Sequence, residues 1–316
     1  MNISGIISSK WFSPVVAGII LVVLAALPAY AAGYTPILFT TIYMYIILSV
    51  SWALFSGPTG YMSLATAAFF GVGIYIASLL GEILPLPLFI LAGGLASAVV
   101  ALLVGALTLR LKGIYFAIFT FGLVMLIAQL LLFFELHVTG TRGRFVIVID
   151  YTTIYYTMLV IFVLLMLTVF LLRRSKWGLA LQSIGENEEA AAHIGINVTT
   201  VKVLFFALSA FFIGMAGATI ATRWTYIDPI IAFDPDISFL PVLMAIFGGM
   251  TRSYGPIIGA IIFSYLQEIL ITKFAELYML IFGIILVISI LYLPNGIVGS
   301  IQRLWQKLEK RRYANA

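Results

Sequence analysis

The sequence predicts an all-α, polytopic integral membrane protein. Three observations predict it. Hydrophobic residues make up 63% of the 316 positions and charged ones only 9%; mean hydropathy is +1.17; and the apolar residues fall in runs of about 20, the length a helix needs to cross a bilayer. A soluble domain carries about a quarter charged residues, and a globule of this length could not hide so much apolar surface. A soluble enzyme or DNA-binding module is therefore excluded.

Taken in order, candidate spans lie near residues 12–32, 36–55, 62–80, 86–109 and 114–134. After a polar loop they resume near 155–172, 203–221, 237–250, 256–271 and 277–293. The first is read as a membrane helix because it lacks a clear small-residue cleavage site and Pro36 opens another apolar run almost at once. The third is laden with Gly, Ser and Thr, and the eighth is too short for a regular crossing. The expectation is therefore eight to ten transmembrane helices, some broken or re-entrant.

Short-loop Lys and Arg set the orientation. Lys10, Arg110, Lys112, Arg173, Arg174, Lys176, Lys202, Arg252, Arg303, Lys307, Lys310, Arg311 and Arg312 fall on one side, against Arg142, Arg144, Arg223 and Lys273 on the other. That bias puts both termini in the cytoplasm, and it holds whether or not the eighth segment and its successor cross. The net charge of +5 is spent on these clusters and forms no continuous basic face for nucleic acid. The chain reads as one transmembrane domain over 1–316, with a cytoplasmic loop at 173–202. Its basic tail, 302–316, carries Leu304, Trp305 and Leu308 at helical spacing, either lying on the inner membrane surface or forming a frayed charge cluster.

Little in the sequence supports bond chemistry. There is no cysteine and there are only two histidines, His137 and His193, so no metal centre is expected. No HExxH, GxSxG or phosphate-binding glycine loop occurs. Within the apolar runs Glu268 is the one carboxylate, whereas proton- and sodium-coupled carriers normally hold intramembrane acids. The chain reads as a conduit without its own energy source, passive or driven by a partner.

Two glycine-rich interruptions are candidates for the path. Gly57-Pro58-Thr59-Gly60 precedes Ser63, Thr66 and Gly71, and Gly248-Gly249 precedes Gly255-Pro256 and Gly259. Broken helices at membrane depth line a wet cavity or are buried in protein; close packing through small residues is the competing reading. On the outer side, Thr139, Arg142, Asp234 and Asp236 are candidates for docking a soluble partner. The segment 223–236, with two Asp-Pro steps, reads as an ordered non-helical loop, and its acids read equally as solvated turn residues.

The cytoplasmic loop is the most informative stretch. Glu188 to Ile194 should form a short helix with acids in its first turn, His193 in its last and Gly195 closing it. Ala190, Ala191 and Ala192 leave one flank flat, so the helix is either a capped surface helix or one that enters a groove on a cytoplasmic protein. Glu189-Ala190-Ala191-x-x-x-Gly195 resembles the EAA-xxx-G loop of ABC importer permeases. The run from Gly185-Glu-Asn-Glu-Glu-Ala-Ala through Gly195-Ile-Asn-Val and Lys202 to Ser209-Ala-Phe-Phe-x-Gly-x-Ala-Gly217 is similar to the permeases of high-affinity branched-chain amino acid importers. Ser63-Leu-x-x-x-Ala-Phe-Phe-Gly71, Leu111-Lys-Gly-Ile-Tyr-Phe-Ala-Ile118, Tyr254-Gly-Pro-Ile-Ile-Gly-Ala260 and Leu293-Pro-Asn-Gly-Ile-Val-Gly299 extend the match over nearly the whole chain.

The resemblance implies a non-enzymatic transport subunit in a prokaryotic inner membrane, working with a second permease, two ATP-binding subunits and an extracytoplasmic solute-binding protein. It implies no cofactor in this chain, with ATP and Mg used by the partner subunits. It also implies coupling through Glu186, Glu188, Glu189, Ala190, Ala191, His193, Gly195 and Asn197. The sequence departs from the family's polar Gly-Gln-x-Ser-Leu-Gly-His pattern, reading Gly60-Tyr-Met-Ser-Leu-Ala-Thr66, and from its Thr-Gly-Gly loop, reading Thr139-Gly-Thr141. Importers of urea and short amides share the permease type and stay open as alternatives, as does a carrier or channel without ATPases.

Overall fold

The structure, a computed structural model, describes residues 12–30, 33–250 and 254–274, with positions 277, 280–281, 283–284, 287 and 296–300 beyond them. The basic tail, Lys10, Arg252 and most of the tenth expected span lie outside the described residues. The helices are α1 (Phe12–Tyr30), α2 (Thr35–Thr59), α3 (Thr66–Leu80), α4 (Leu86–Thr108), α5 (Ile114–Phe134), α6 (Tyr151–Arg173), α7 (Lys176–Glu186), α8 (Glu188–His193), α9 (Val198–Ala221), α10 (Pro229–Ala232), α11 (Asp236–Gly248) and α12 (Gly255–Lys273). A π-helical turn, Glu135–Thr139, extends α5. Two two-residue strands, β1 (Arg144–Phe145) and β2 (Tyr226–Ile227), pair antiparallel, Arg144 opposite Ile227.

Seven segments among the described residues are long and apolar enough to cross a membrane, and shorter apolar helices include α3. The protein is thus an all-α, multi-pass membrane protein. Two of the helices, α2 and α9, form its centre; their most apolar windows are 72% and 78% buried. Small residues allow the closest crossings. A Cβ on Gly73 of α3 would lie 2.1 Å from the Gly214 carbonyl of α9, and one on Gly217 would lie 2.1 Å from the Phe70 carbonyl. Backbones that approach so closely gain dispersion and leave no room for lipid.

Contacts between loops sort the segments onto two ends. Lys112 reaches Glu188, and Gly57, Pro58, Arg173, Gln182 and Met250 surround one groove. This is the basic end. At the far end Arg142 meets Asp228, and Arg223 donates to Thr41.

The eighth segment runs from one end of the bundle to the other, in two pieces. It leaves Asp228 at the far end, turns once in α10, breaks at 233–235 and continues as α11 to Met250 at the basic end. The expected loop 223–236 is therefore corrected: Asp228 caps a helical turn by accepting the Ile231 amide at 2.9 Å, because an Asp before Pro satisfies a free N–H at N3 while Pro at N1 lacks one to satisfy.

Candidate functional site

At the basic end the chain between α6 and α9 folds into two short helices, each started by a side-chain cap. The Ser175 hydroxyl accepts the Gly178 amide at 3.3 Å. Asn187 Oδ1 accepts the amides of Glu189 and Ala190, both at 3.0 Å, and Asn197 Oδ1 accepts that of Thr200 at 3.1 Å. Polar residues at these three positions stop one helix and start the next. His193 Nδ1 lies 2.7 Å from the Glu189 carbonyl, and Gly195 takes φ +91°, a conformation suited to glycine at a helix end. Glu186 lines the groove between this loop and the end of α2.

Ala191 differs from the flat-flank expectation: it is 2% exposed, while Ala190 and Ala192 on either side are exposed. One alanine of the three packs inward, so the outward surface is made by its neighbours. Ile194 is 74% exposed and Trp177 51%. Trp177, Leu179 and Ile196 also line an open groove of about 1030 Å³ between α7 and the start of α9.

Beneath α8 lies the most enclosed ion pair of the basic end. The side chain of Lys202, on α9, is 5% exposed and touches the Glu188 carboxylate. Its ammonium also donates to the Tyr61 hydroxyl at 3.1 Å and the Leu109 carbonyl at 3.2 Å, and it lies 4.4 Å from the Tyr61 ring centroid. An ammonium has three donors, and all three are used. Tyr61 in turn donates to Glu188 at 2.9 Å. The cluster joins α8, α9, the end of α4 and the α2–α3 connection.

Burial by itself would raise the Glu188 carboxyl. Hydrogen bonds from Lys202 and Tyr61, with the charges of Lys202 and Lys112, outweigh it and hold the group below its ordinary value. Burial first, then Glu188, pushes the Tyr61 hydroxyl up to about 12. The sequence marks Lys202 as a topology charge and as a position of the family resemblance, and does not name its partner. The available signal was its place in an apolar span, one turn past a helix cap, where a lone ammonium needs a partner.

The expected path residues are packed shut. Thr59, Ser63 and Thr66 are at most 6% exposed, and Gly71, Gly248 and Gly249 are buried. A Cβ on Gly71 would meet the Phe233 ring and the Ala232 carbonyl, and one on Gly248 the Gly255 carbonyl. The non-helical stretch 60–65 bonds neighbouring helices: Trp52 donates to the Ser63 carbonyl at 2.7 Å, and the Leu64 amide donates to Thr120 at 3.0 Å. Gly60 and Met62 of this stretch are exposed, and Ser63 and Ala65 are buried in protein, as non-helical backbone beside the spans requires.

At the far end the two external loops form one cap through the β1–β2 pair and the Arg142–Asp228 bridge at 2.8 Å. Thr139 donates within its own turn, to the Glu135 carbonyl at 2.9 Å. Asp234 and Asp236 sit further along, at the α10–α11 break, where Asp234 accepts the Asp236 amide at 2.9 Å. Glu268 was expected to be the one carboxylate within the spans, but Glu135 is a second: it is 2% exposed, accepts from Tyr75 at 3.0 Å and the Gly143 amide at 2.8 Å, and faces Arg144 at 3.9 Å. It follows Phe133-Phe134 directly, and the π turn carries it into the bundle.

The chain's residues 34–290 match the family described as the branched-chain amino acid transport system / permease component, so the chain belongs to that family. It is 26% identical over 314 residues to the high-affinity branched-chain amino acid transport system permease protein LivM of Salmonella typhimurium, covering 88% of this chain and 73% of that protein. The Escherichia coli LivM is likewise 26% identical, over 313 residues, with the same coverage of both chains. Similarity extends to the xylose transport system permease protein XylH of Haemophilus influenzae, 29% identical over 130 residues, 40% of this chain and 35% of XylH. No solved structure matches.

Proposed function

We propose that this chain is the transmembrane permease subunit of a binding-protein-dependent ABC importer for branched-chain or related amino acids, in a prokaryotic inner membrane. The basic end is cytoplasmic, as the distribution of Lys and Arg favours. The α7–α8 loop docks on a pair of ATP-binding subunits, which use ATP and Mg. A second permease completes the membrane unit, and an extracytoplasmic binding protein delivers solute to the β1–β2 cap.

The observation that carries this reading is the Lys202–Glu188–Tyr61 cluster. A helix presented for docking transmits force only if it is fastened to the spans. Here α8 is fastened at one point to α9, to the end of α4 and to the non-helical 60–65 stretch. Movement of α8 by a closing ATPase pair would therefore shift the α2–α3 connection with it. This is a coupling free energy between two sites, and no bond chemistry in this chain is needed.

The test is uptake of radiolabelled leucine by vesicles holding this permease, its neighbouring permease and the two ATPases, with binding protein added. ATP- and binding-protein-dependent uptake supports the reading. Uptake at full rate without the ATPase subunits overturns it.

A further inference from the structure

Helix α7 lies flat across the ends of two spans. A Cβ on Gly178, in its first turn, would lie 2.1 Å from the Leu172 carbonyl of α6, and one on Gly185, in its last turn, would lie 1.7 Å from the Pro58 carbonyl of α2. Between these two points Leu181 and Ile184 turn inward and are buried. With both its ends seated on span ends, α7 runs along the membrane surface at the level of the lipid headgroups and does not project into water.

Another face of α7 borders the open groove beside α9. Lys176, Leu179, Ala180 and Ser183 line it, and their three- and four-residue spacing puts them on one side of the helix. Arg174 lines it too, so the groove carries two cations and no acid. Neither cation makes an ion pair among the described residues. The Arg174 guanidinium lies 4.2 Å from the Phe170 ring centroid, a stacking that leaves its N–H edges for an acceptor. Trp177, also in the lining, is half-exposed, as an amphipathic ring at a membrane–water boundary is.

Toward the bilayer centre both flanking spans continue the groove as apolar surface. Leu204 follows the lining residue Thr200 by one turn of α9 and is 45% exposed; Leu167 precedes Arg174 by two turns of α6 and is 52% exposed. At the helical rise they lie about 6 and about 10 Å deeper.

We infer that this groove is a binding site for an anionic phospholipid of the leaflet at the basic end. The phosphate sits against Arg174, whose fork takes two oxygens at once, and against the point charge of Lys176. The acyl chains run down Leu204 and Leu167. A cytoplasmic protein suits the groove less well, because its walls pass directly into lipid-facing surface. Asn187 ends α7 and caps α8, so a lipid held here braces the whole loop against the bilayer. The site stands whether or not ATPases drive the chain.

The assembled transporter is reconstituted in phosphatidylcholine vesicles with a trace of phosphatidylglycerol bearing a diazirine in one acyl chain, irradiated, and its labelled peptides are mapped. Labelling should concentrate at 167–171 and 196–204 and yield to excess unlabelled phosphatidylglycerol but not to inorganic phosphate. Arg174→Gln combined with Lys176→Gln should cut it at least about tenfold, whereas Arg110→Gln, which removes a charge at the same end but outside the groove, should leave it unchanged. Leu179→Glu keeps both cations and alters an exposed residue, yet puts an acid beside the phosphate. It should cut labelling comparably, so a folding defect in the double variant does not blunt the test. Full labelling in either variant overturns the proposal. So does equal labelling by a diazirine phosphatidylcholine, which marks a plain lipid face, or displacement by inorganic phosphate, which marks a free-anion site. Loss of groove labelling once the ATP-binding subunits are bound also overturns it and gives the groove to them.

Discussion

Lys202 and Glu188, fourteen residues apart and separated by two helix caps, make direct contact beneath α8. Removing one charge from such an enclosed pair leaves the other uncompensated, at about 2–4 kcal/mol. Lys202→Met should lower the thermal midpoint of the purified complex and reduce uptake at least about tenfold. Lys202→Met combined with Glu188→Gln should recover most of the stability but not the uptake, because the fastening is still missing. Melting and uptake on the three variants check this.

The depressed Glu188 carboxyl fixes the sign of a pH effect. Its stabilisation is present above the ordinary value of 4.5 and is lost as pH falls through the lowered one. The difference in thermal midpoint between the natural chain and Glu188→Gln should stay constant from about pH 6 to 8 and shrink only on acidification below the ordinary carboxylate range. A difference that varied across neutral pH would contradict the pairing.

Gly185 lets the end of α7 sit on the end of α2. A Cβ there would lie 1.7 Å from the Pro58 carbonyl, whereas one on Gly195 would meet nothing within 4 Å. Backbone cannot yield as a side chain can, so Gly185→Ala should cost about 1–3 kcal/mol or more and uncouple uptake from ATP hydrolysis. Gly195→Ala should cost only the left-handed backbone strain, about 1–2 kcal/mol. Comparison of melting and of uptake per ATP hydrolysed separates them.

Ala191 and Ile194 should part company in the same assay. Ala191→Arg forces a charge into a packed position and should lower expression and melting temperature. Ile194→Asp changes an exposed residue, so it should leave stability within about 0.5 kcal/mol of the natural chain while sharply reducing ATPase binding in pull-down. Unchanged ATPase binding would remove Ile194 from the docking surface.

Glu135→Leu should loosen the external cap. It orphans the Tyr75 hydroxyl and the Gly143 amide, at about 1–3 kcal/mol, so proteolysis near residues 140–143 should quicken. The natural chain should resist under the same conditions.

Much of the architecture was legible before the structure. The run 114–134 coincides with α5, and 86–109 with α4 to within one residue, because hydropathy and turn residues act locally. The α8 helix was legible for the same reason: its caps and first-turn acids are all within a few residues. The eighth segment was half legible, since Asp-Pro steps signal a turn without saying that a helical turn on the near side belongs to the same crossing.

By itself the sequence determined the class of protein, the order of its spans and the family loop, since each depends on the composition of one contiguous stretch measured against the thickness of a bilayer. The tertiary structure alone decided which charge Lys202 meets, that Ala191 turns inward between two exposed neighbours, and that Glu135 is buried. Each of those depends on how helices far apart in the chain set their relative height and rotation, and packing between backbones at glycine crossings fixes that height in a way no single segment encodes.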